Sequence, residues 1–147
     1  MAETINILLV EDNRMDTELA IDAFEENHLS CKVHVADSGQ KALDYVFNKG
    51  IFANKEKYPR PDLVLLDLKM PGVDGHEVLR RIKSENILKR IPVIILTSSK
   101  EHADLTKCYD NGANSYLVKP VSYEGFVDMV QSIDKYWLNL NTPPPKL

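Results

Sequence analysis

Four apolar runs in this chain stop abruptly on residues with chemistry to offer, and that pattern narrows the folds open to it. Leu63-Val64-Leu65-Leu66 stops on Asp67, and Ile7-Leu8-Leu9-Val10 stops on Glu11-Asp12. Val93-Ile94-Ile95-Leu96 ends on Thr97-Ser98, and the strand-like Ser115-Tyr116-Leu117-Val118 ends on Lys119-Pro120. An uninterrupted apolar run has no polar face to offer water, so it suits a strand of a parallel sheet covered on both sides. In such sheets ligands bind just beyond the carboxyl ends of the strands. Three carboxylates, a hydroxyl and an ammonium are therefore expected to converge at one rim, where they suit a divalent cation and a phosphoryl group.

Helix-like segments alternate with these runs. Asn13 reads as an N-cap with Asp16 three residues on; Met15, Leu19 and Ala23 then share a face with Ala20 and Phe24. Val33 and Val35 mark a short second strand, and Ala42, Leu43, Val46 and Phe47 stripe the next helix. Residues 48–61, with Gly50, Pro59, Pro61, three lysines and Arg60, read as a long surface loop. Met70-Pro71-Gly72 and Asp74-Gly75 are turn signals. Val78, Leu79 and Ile82 stripe a third helix, and Leu105, Cys108 and Tyr109 a fourth that Gly112 ends. Ser122 caps a last helix carrying Phe126, Val130, Ile133 and Trp137, the tryptophan serving packing or a dimer contact. Five β-α units with right-handed crossovers predict an α/β fold, a three-layer α/β/α sandwich around a five-stranded parallel sheet in the order 2-1-3-4-5. That order sets strands one and three side by side, so Glu11, Asp12 and Asp67 meet.

The totals exclude several function classes. The chain has 147 residues, enough for one domain over 1–140 and a Pro-rich tail over 141–147. Its net charge of −4, without a basic stripe, argues against nucleic acid. No apolar run approaches the roughly 20 residues that span a bilayer, and the first residues lack the pattern of a signal peptide. A cytoplasmic location without membrane attachment is expected. Cys31 and Cys108 read as buried or half-buried apolar residues. The four histidines show no zinc-ligand spacing, and His76 and His102 read as surface residues.

Carboxylates crowded at one spot raise one another's pKa, and a hard cation relieves that penalty. Mg²⁺ suits one or two carboxylates, waters and a phosphate. Asp67 can then act as nucleophile toward phosphorus, with Lys119 as a point charge for the phosphoryl oxygens and Thr97 as a hydroxyl donor. Each residue also has a plainer reading: Glu11-Asp12 as acids favoured at a helix start, Thr97-Ser98 as a helix cap, Lys119 as a solvated lysine, Tyr116 as a half-buried strand aromatic. Only the combination is specific.

That combination resembles the receiver domain of bacterial two-component response regulators. The matching residues are Glu11-Asp12, Asp67 followed by Met70-Pro71-Gly72 and Asp74-Gly75, Thr97-Ser98, Tyr116 and Lys119-Pro120, in order, across Ile5 to Leu138. The resemblance implies a phosphoacceptor signalling domain rather than an enzyme, catalysing only its own phosphorylation and dephosphorylation. Asp67 would take the phosphoryl group from a phosphohistidine on a sensor histidine kinase. Glu11, Asp12, Asp67 and the backbone carbonyl of Lys69 would hold Mg²⁺. Thr97 and Tyr116 would form a switch pair, and the Lys119-Pro120 bond would be cis. Output is expected as a protein contact to an unidentified target. The loop over 48–61 and the tail resemble stand-alone regulators of cyanobacterial-type phytochrome kinases, which implies a phytochrome partner and a homodimer through helix 4, strand 5 and helix 5. Lys69 is a bulky cation whose side chain is able to reach over the site. Aspartyl phosphohydrolases fit less well, because they place a second aspartate where Lys69 stands. A flavodoxin-like carrier would need a phosphate-binding loop where Glu11-Asp12 would repel its ligand. A pseudo-receiver is disfavoured, since no site residue is missing.

Overall fold

The computed structural model describes residues 4–28 and 30–145. Its parallel strands are β1 (Ile5–Val10), β2 (Cys31–Ala36), β3 (Leu63–Leu66), β4 (Val93–Thr97) and β5 (Ser115–Val118). Helices α1 (Arg14–Glu26), α2 (Gly39–Val46), α3 (Gly75–Ser84), α4 (His102–Asp110) and α5 (Tyr123–Ile133) alternate with them. The strand order is β2-β1-β3-β4-β5, as expected.

The apolar runs explain why both faces are covered. Side chains alternate across a strand, so Leu8, Val10, Val64, Leu66, Val93 and Ile95 pack on one side against α2, α3 and Cys108 of α4. Ile7, Leu9, Leu63, Leu65 and Ile94 pack on the other, against Ala20, Ala23 and Phe24 of α1 and Phe126, Val130 and Ile133 of α5. Burial of this kind contributes about 25 cal/mol per Å² of apolar surface.

Asn13 and Ser122 cap their helices as expected, and Ser38 and Asp74, for which no cap was expected, cap two more. Asn13 accepts from Asp16 N–H, Ser38 from Lys41 N–H, Asp74 from Glu77 N–H and Ser122 from Gly125 N–H. Helix α4 differs. Its N-cap position is Glu101, without a capping side chain, so Thr97 and Ser98 do not cap it. Gly112 follows its end at φ +93°.

Further readings need correction. Met15 is 71% exposed, because it lies at the first turn of α1 before the helix settles on the sheet. On α4 the buried positions are Asp104 and Cys108, while Tyr109 is exposed. The connection over 48–61 is not merely a surface loop. It holds a 3₁₀ turn at Gly50–Phe52 with Phe52 buried, and Tyr45, Phe52 and Tyr58 pack with ring centroids 5.0–5.8 Å apart. Tyr45 donates its hydroxyl to Pro59 O at 3.0 Å, and the Asn48 amide donates to Phe52 O and Tyr58 O. Its aromatic residues, rather than its lysines, decide its path. Finally, the Lys119–Pro120 bond is trans, as are all peptide bonds among the described residues. A trans X–Pro bond is favoured by about 0.5–1 kcal/mol, so the chain here follows the ordinary preference.

After α5 the chain continues through a wider π-helical stretch, Asp134–Leu140, and then runs without regular structure to Pro145. Trp137 packs at the edge of the α1/α5 side of the core.

Candidate functional site

The carboxyl ends of the strands hold their terminal residues by ladder hydrogen bonds that run one residue past each strand. Glu11 N–H donates to Ala36 O at 3.1 Å, Asp67 N–H to Val10 O at 3.0 Å, and Lys119 N–H to Thr97 O at 2.8 Å. Val10 pairs with Leu66, so Glu11 and Asp67 emerge side by side from β1 and β3. Glu11 and Asp67 are buried and Asp12 is exposed, and each offers a carboxylate oxygen within 4.8 Å of the others.

Lys119 reaches this group from the end of β5. Its ammonium lies 2.6 Å from Glu11 Oε1, 2.9 Å from Asp16 Oδ2 and 3.4 Å from Asp67 Oδ2. Asp16 is a member the sequence reading missed. Its place in the first turn of α1 reads as a helix-start acid, and its second use, to hold the ammonium, depends on Lys119 arriving from the end of β5. Burial opposes the Lys119 charge, but its hydrogen bonds to Glu11 and Asp16 prevail and raise its pKa. Burial pushes the Glu11 carboxyl up to about 7, against the lowering pull of Lys119 and of the Asn13 N–H. A buried carboxylate this reluctant to carry charge, beside two others, is a donor set suited to a hard divalent cation.

Thr97 ends β4 fully buried, and its Oγ1 accepts from Ser99 N–H at 3.4 Å, which leaves its own proton free to be donated. Tyr116 donates its hydroxyl to Ser99 O at 2.9 Å. Asp67 Oδ1 stands 3.5 Å from the Lys69 amide. The Lys69 side chain does not reach over the site: its ammonium pairs with Asp104 at 3.2 Å.

His76 was expected at the surface and is buried instead, because α4 supplies it a partner. Its Nε2 lies 2.9 Å from Asp104 Oδ1, and its Nδ1 lies 3.8 Å from Cys108 Sγ. The hydrogen bonds of Ser99 and His76, and then Lys69, pull the Asp104 carboxyl down to about 2. An ionised Asp104 can only accept, so Nε2 donates to it. The order Cys–His–Asp mimics a nucleophilic triad, yet Cys108 is fully buried and burial pushes its thiol up to about 11, so it is an inert packing residue.

Residues 7–131 match the response regulator receiver domain. Among curated proteins, the chain is 43% identical over 139 residues to the probable methanogenesis regulatory protein FilR2 of Methanothrix harundinacea (strain 6Ac), covering 94% of this chain and 86% of that protein. It is 37% identical over 138 residues to the response regulator Rcp1 of Synechocystis sp. (strain ATCC 27184 / PCC 6803 / Kazusa), covering 94% of this chain and 92% of Rcp1. Among solved structures, the phosphorylated cyanobacterial phytochrome response regulator RcpA superposes with a TM-score of 0.90 at 37% identity, covering 97% of this chain and all of RcpA. The Mn²⁺-bound form of Rcp1 superposes with a TM-score of 0.86 at 36% identity, over 96% of this chain and 99% of that one. No helix among the described residues is long and apolar enough to cross a membrane. On the match over 7–131, and on the flavodoxin-like order of its sheet, the chain belongs to the response regulator receiver domain family, a family of two-component signalling domains, and is homologous to the phytochrome-associated response regulators.

Proposed function

We propose that Asp67 is the phosphoacceptor of this receiver and that Glu11, Asp12, Asp67 and the backbone carbonyl of Lys69 hold Mg²⁺. The observation that carries the reading is the convergence of Glu11, Asp12 and Asp67 within 4.8 Å, with the Lys119 ammonium 3.4 Å from Asp67. An Asp67 carboxylate oxygen attacks the phosphorus of a phosphohistidine. The P–N bond breaks as the P–O bond forms, and the departing imidazole nitrogen keeps the electron pair and takes up a proton. Lys119 meets the charge on the phosphoryl oxygens, and the Thr97 hydroxyl donates to one of them. When bound, Mg²⁺ supplies further neutralisation of the same oxygens. The phosphoryl group then stabilises one arrangement of Thr97 and Tyr116 over another, which is a population shift read out by a protein partner. The Mn²⁺-bound Rcp1 and the phosphorylated RcpA support both halves of this reading.

The donor in this reading is a sensor histidine kinase, and the likeness to RcpA favours a phytochrome kinase. Tyr109 on α4 and Val118 on β5 are exposed apolar residues, which supports a homodimer through α4, β5 and α5.

Incubation with acetyl phosphate and Mg²⁺ is expected to add one phosphoryl group by intact mass. Excess EDTA and Asp67→Asn should each abolish the addition. An undiminished yield in Asp67→Asn would refute the nucleophile.

A further inference from the structure

One carboxylate outside the acidic cluster joins both loops that flank it. Asp104 of α4 accepts from Ser99 Oγ at 2.5 Å, pairs with the Lys69 ammonium at 3.2 Å and with His76 Nε2 at 2.9 Å. Lys69 stands two residues past Asp67, Ser99 two residues past Thr97, and His76 in the first turn of α3. Every polar group of Ser99 is engaged. Its hydroxyl binds Asp104 and accepts from Glu101 N–H at 3.3 Å, its N–H donates to Thr97 Oγ1, and its carbonyl accepts from Tyr116. The loop from β4 to α4 is thereby pinned, at a point that touches Thr97 and Tyr116 directly, although α4 has no capping side chain of its own.

We infer that Asp104 is a positioning residue for phosphoryl transfer: by holding Ser99 it sets the Thr97 hydroxyl where the incoming phosphoryl oxygen needs a donor. The inference rests on the phosphoacceptor reading of Asp67. Asp104 reaches no reacting atom; it acts through Ser99. A hydroxyl already oriented for the transition state accelerates the step because no reorganisation is left to make, and small displacements of such groups are expensive in rate. A charge-assisted bond of this kind to a loop hydroxyl is stronger than a neutral one, and the additional ties to His76 and Lys69 keep the carboxylate itself in one orientation. In the reaction with acetyl phosphate, Asp67 attacks phosphorus and acetate leaves with the electron pair. The inference concerns the rate of that step alone.

The experiment measures the initial rate of phosphorylation by acetyl phosphate at saturating Mg²⁺, with Mg²⁺ affinity and thermal melting recorded for each variant. Asp104→Ala is expected to be slower by about tenfold, within the range that misplacement of one group produces, and Ser99→Ala slower by a similar factor. Because both changes cut one connection, Asp104→Ala combined with Ser99→Ala should be no slower than the slower single variant. Asp104→Asn retains an acceptor for the Ser99 hydroxyl and should recover most of the rate. Mg²⁺ affinity should not move. A wild-type rate in Asp104→Ala, or two single effects that multiply in the double variant, would overturn the inference. So would a loss of rate that tracks lost Mg²⁺ affinity. Should Asp104→Ala fail to fold, Ser99→Ala decides: an unaltered rate there overturns the inference equally. If the unsubstituted chain takes up no phosphoryl group, the phosphoacceptor reading falls first and this one with it; a phosphorylated wild type with indifferent variants sinks only Asp104.

Discussion

Charge withdrawn from water at the residue scale is held here by partners that other elements put in place. Lys119 satisfies Glu11, Asp16 and Asp67 at once, and Asp104 satisfies Lys69, His76 and Ser99. Tyr45 shows the other solution, burial of a group that stays neutral. Its ring is almost fully buried against Phe52 and Tyr58, and its hydroxyl donates to Pro59 O. Burial, and then the neighbouring Tyr58, push its phenol from 10.0 up to about 12. The folded state therefore holds this proton more tightly than the unfolded chain between those values. The stability it contributes is complete below pH 10.0 and is lost as pH rises through about 12. Tyr116 and Tyr123 are also pushed up by burial, and ultraviolet titration should find Tyr45 ionising last of the six tyrosines, near the alkaline unfolding transition. Tyr45→Phe should remove that late step and cost about 0.5–1.5 kcal/mol at neutral pH, the net worth of a hydrogen bond. If all tyrosines titrate together near pH 10.0 in the folded protein, the loop over 48–61 is not packed on Tyr45 as described.

At the scale of elements, the site depends on how closely α3 approaches the end of β3. Gly75 opens that helix, and a Cβ built there would lie 2.1 Å from the Asp67 carbonyl oxygen and 2.6 Å from Leu68 Cα. Both are backbone atoms, which cannot rotate away as a side chain can. Its N–H also donates to Leu68 O at 3.0 Å. Gly75→Ala should therefore force α3 away from the strand end. It is expected to destabilise by about 1–3 kcal/mol, the usual cost of overpacking, and to slow phosphorylation of Asp67 as well. Denaturant unfolding and the acetyl phosphate assay check the two effects, and a variant of full stability would show that the approach is looser than drawn. In the sequence Gly75 was legible only as a turn signal beside Asp74, because the atoms it must avoid belong to β3. The same limit explains the other misreadings. Strand order, the Asn13 and Ser122 caps and the meeting of Glu11, Asp12 and Asp67 follow from local pattern and from rules of β-α topology, and they were legible. Burial of His76 and the orientation of Lys69 arise from a single aspartate on α4, and no spacing within α3 or its preceding loop announces it. Met15 keeps helical spacing with Leu19 and Ala23, but its exposure depends on where α1 first touches the sheet.

For the molecule as a whole, the sheet places its charge asymmetrically. Both faces of the sheet are sealed by the apolar sides of helices, while one rim gathers Glu11, Asp16 and Asp67 around a single ammonium, with Asp12 beside Glu11 and Asp67. The ligands proposed for Mg²⁺ come from the ends of β1 and β3, strands that become neighbours only when the sheet forms. The unfolded chain thus offers the ion no comparable site, and binding should be coupled to folding of the entire sandwich. Linkage gives about 2.7 kcal/mol of added stability when free Mg²⁺ stands at one hundred times its dissociation constant. For a domain of this size, each kcal/mol moves the melting temperature by about 2–4 °C. The melting temperature of the wild-type chain should accordingly climb with the logarithm of Mg²⁺ concentration, from its value in EDTA, by about 5–10 °C over that range. Asp12→Asn should flatten the slope, because Asp12 is exposed and contributes to the ion rather than to the core. Tyr45→Phe should keep the slope while lowering the whole curve, since its loss lies in the aromatic cluster of the loop. Calorimetry across a Mg²⁺ series distinguishes the cases: a wild-type melting temperature indifferent to Mg²⁺ would mean that the acidic rim is balanced by Lys119 alone.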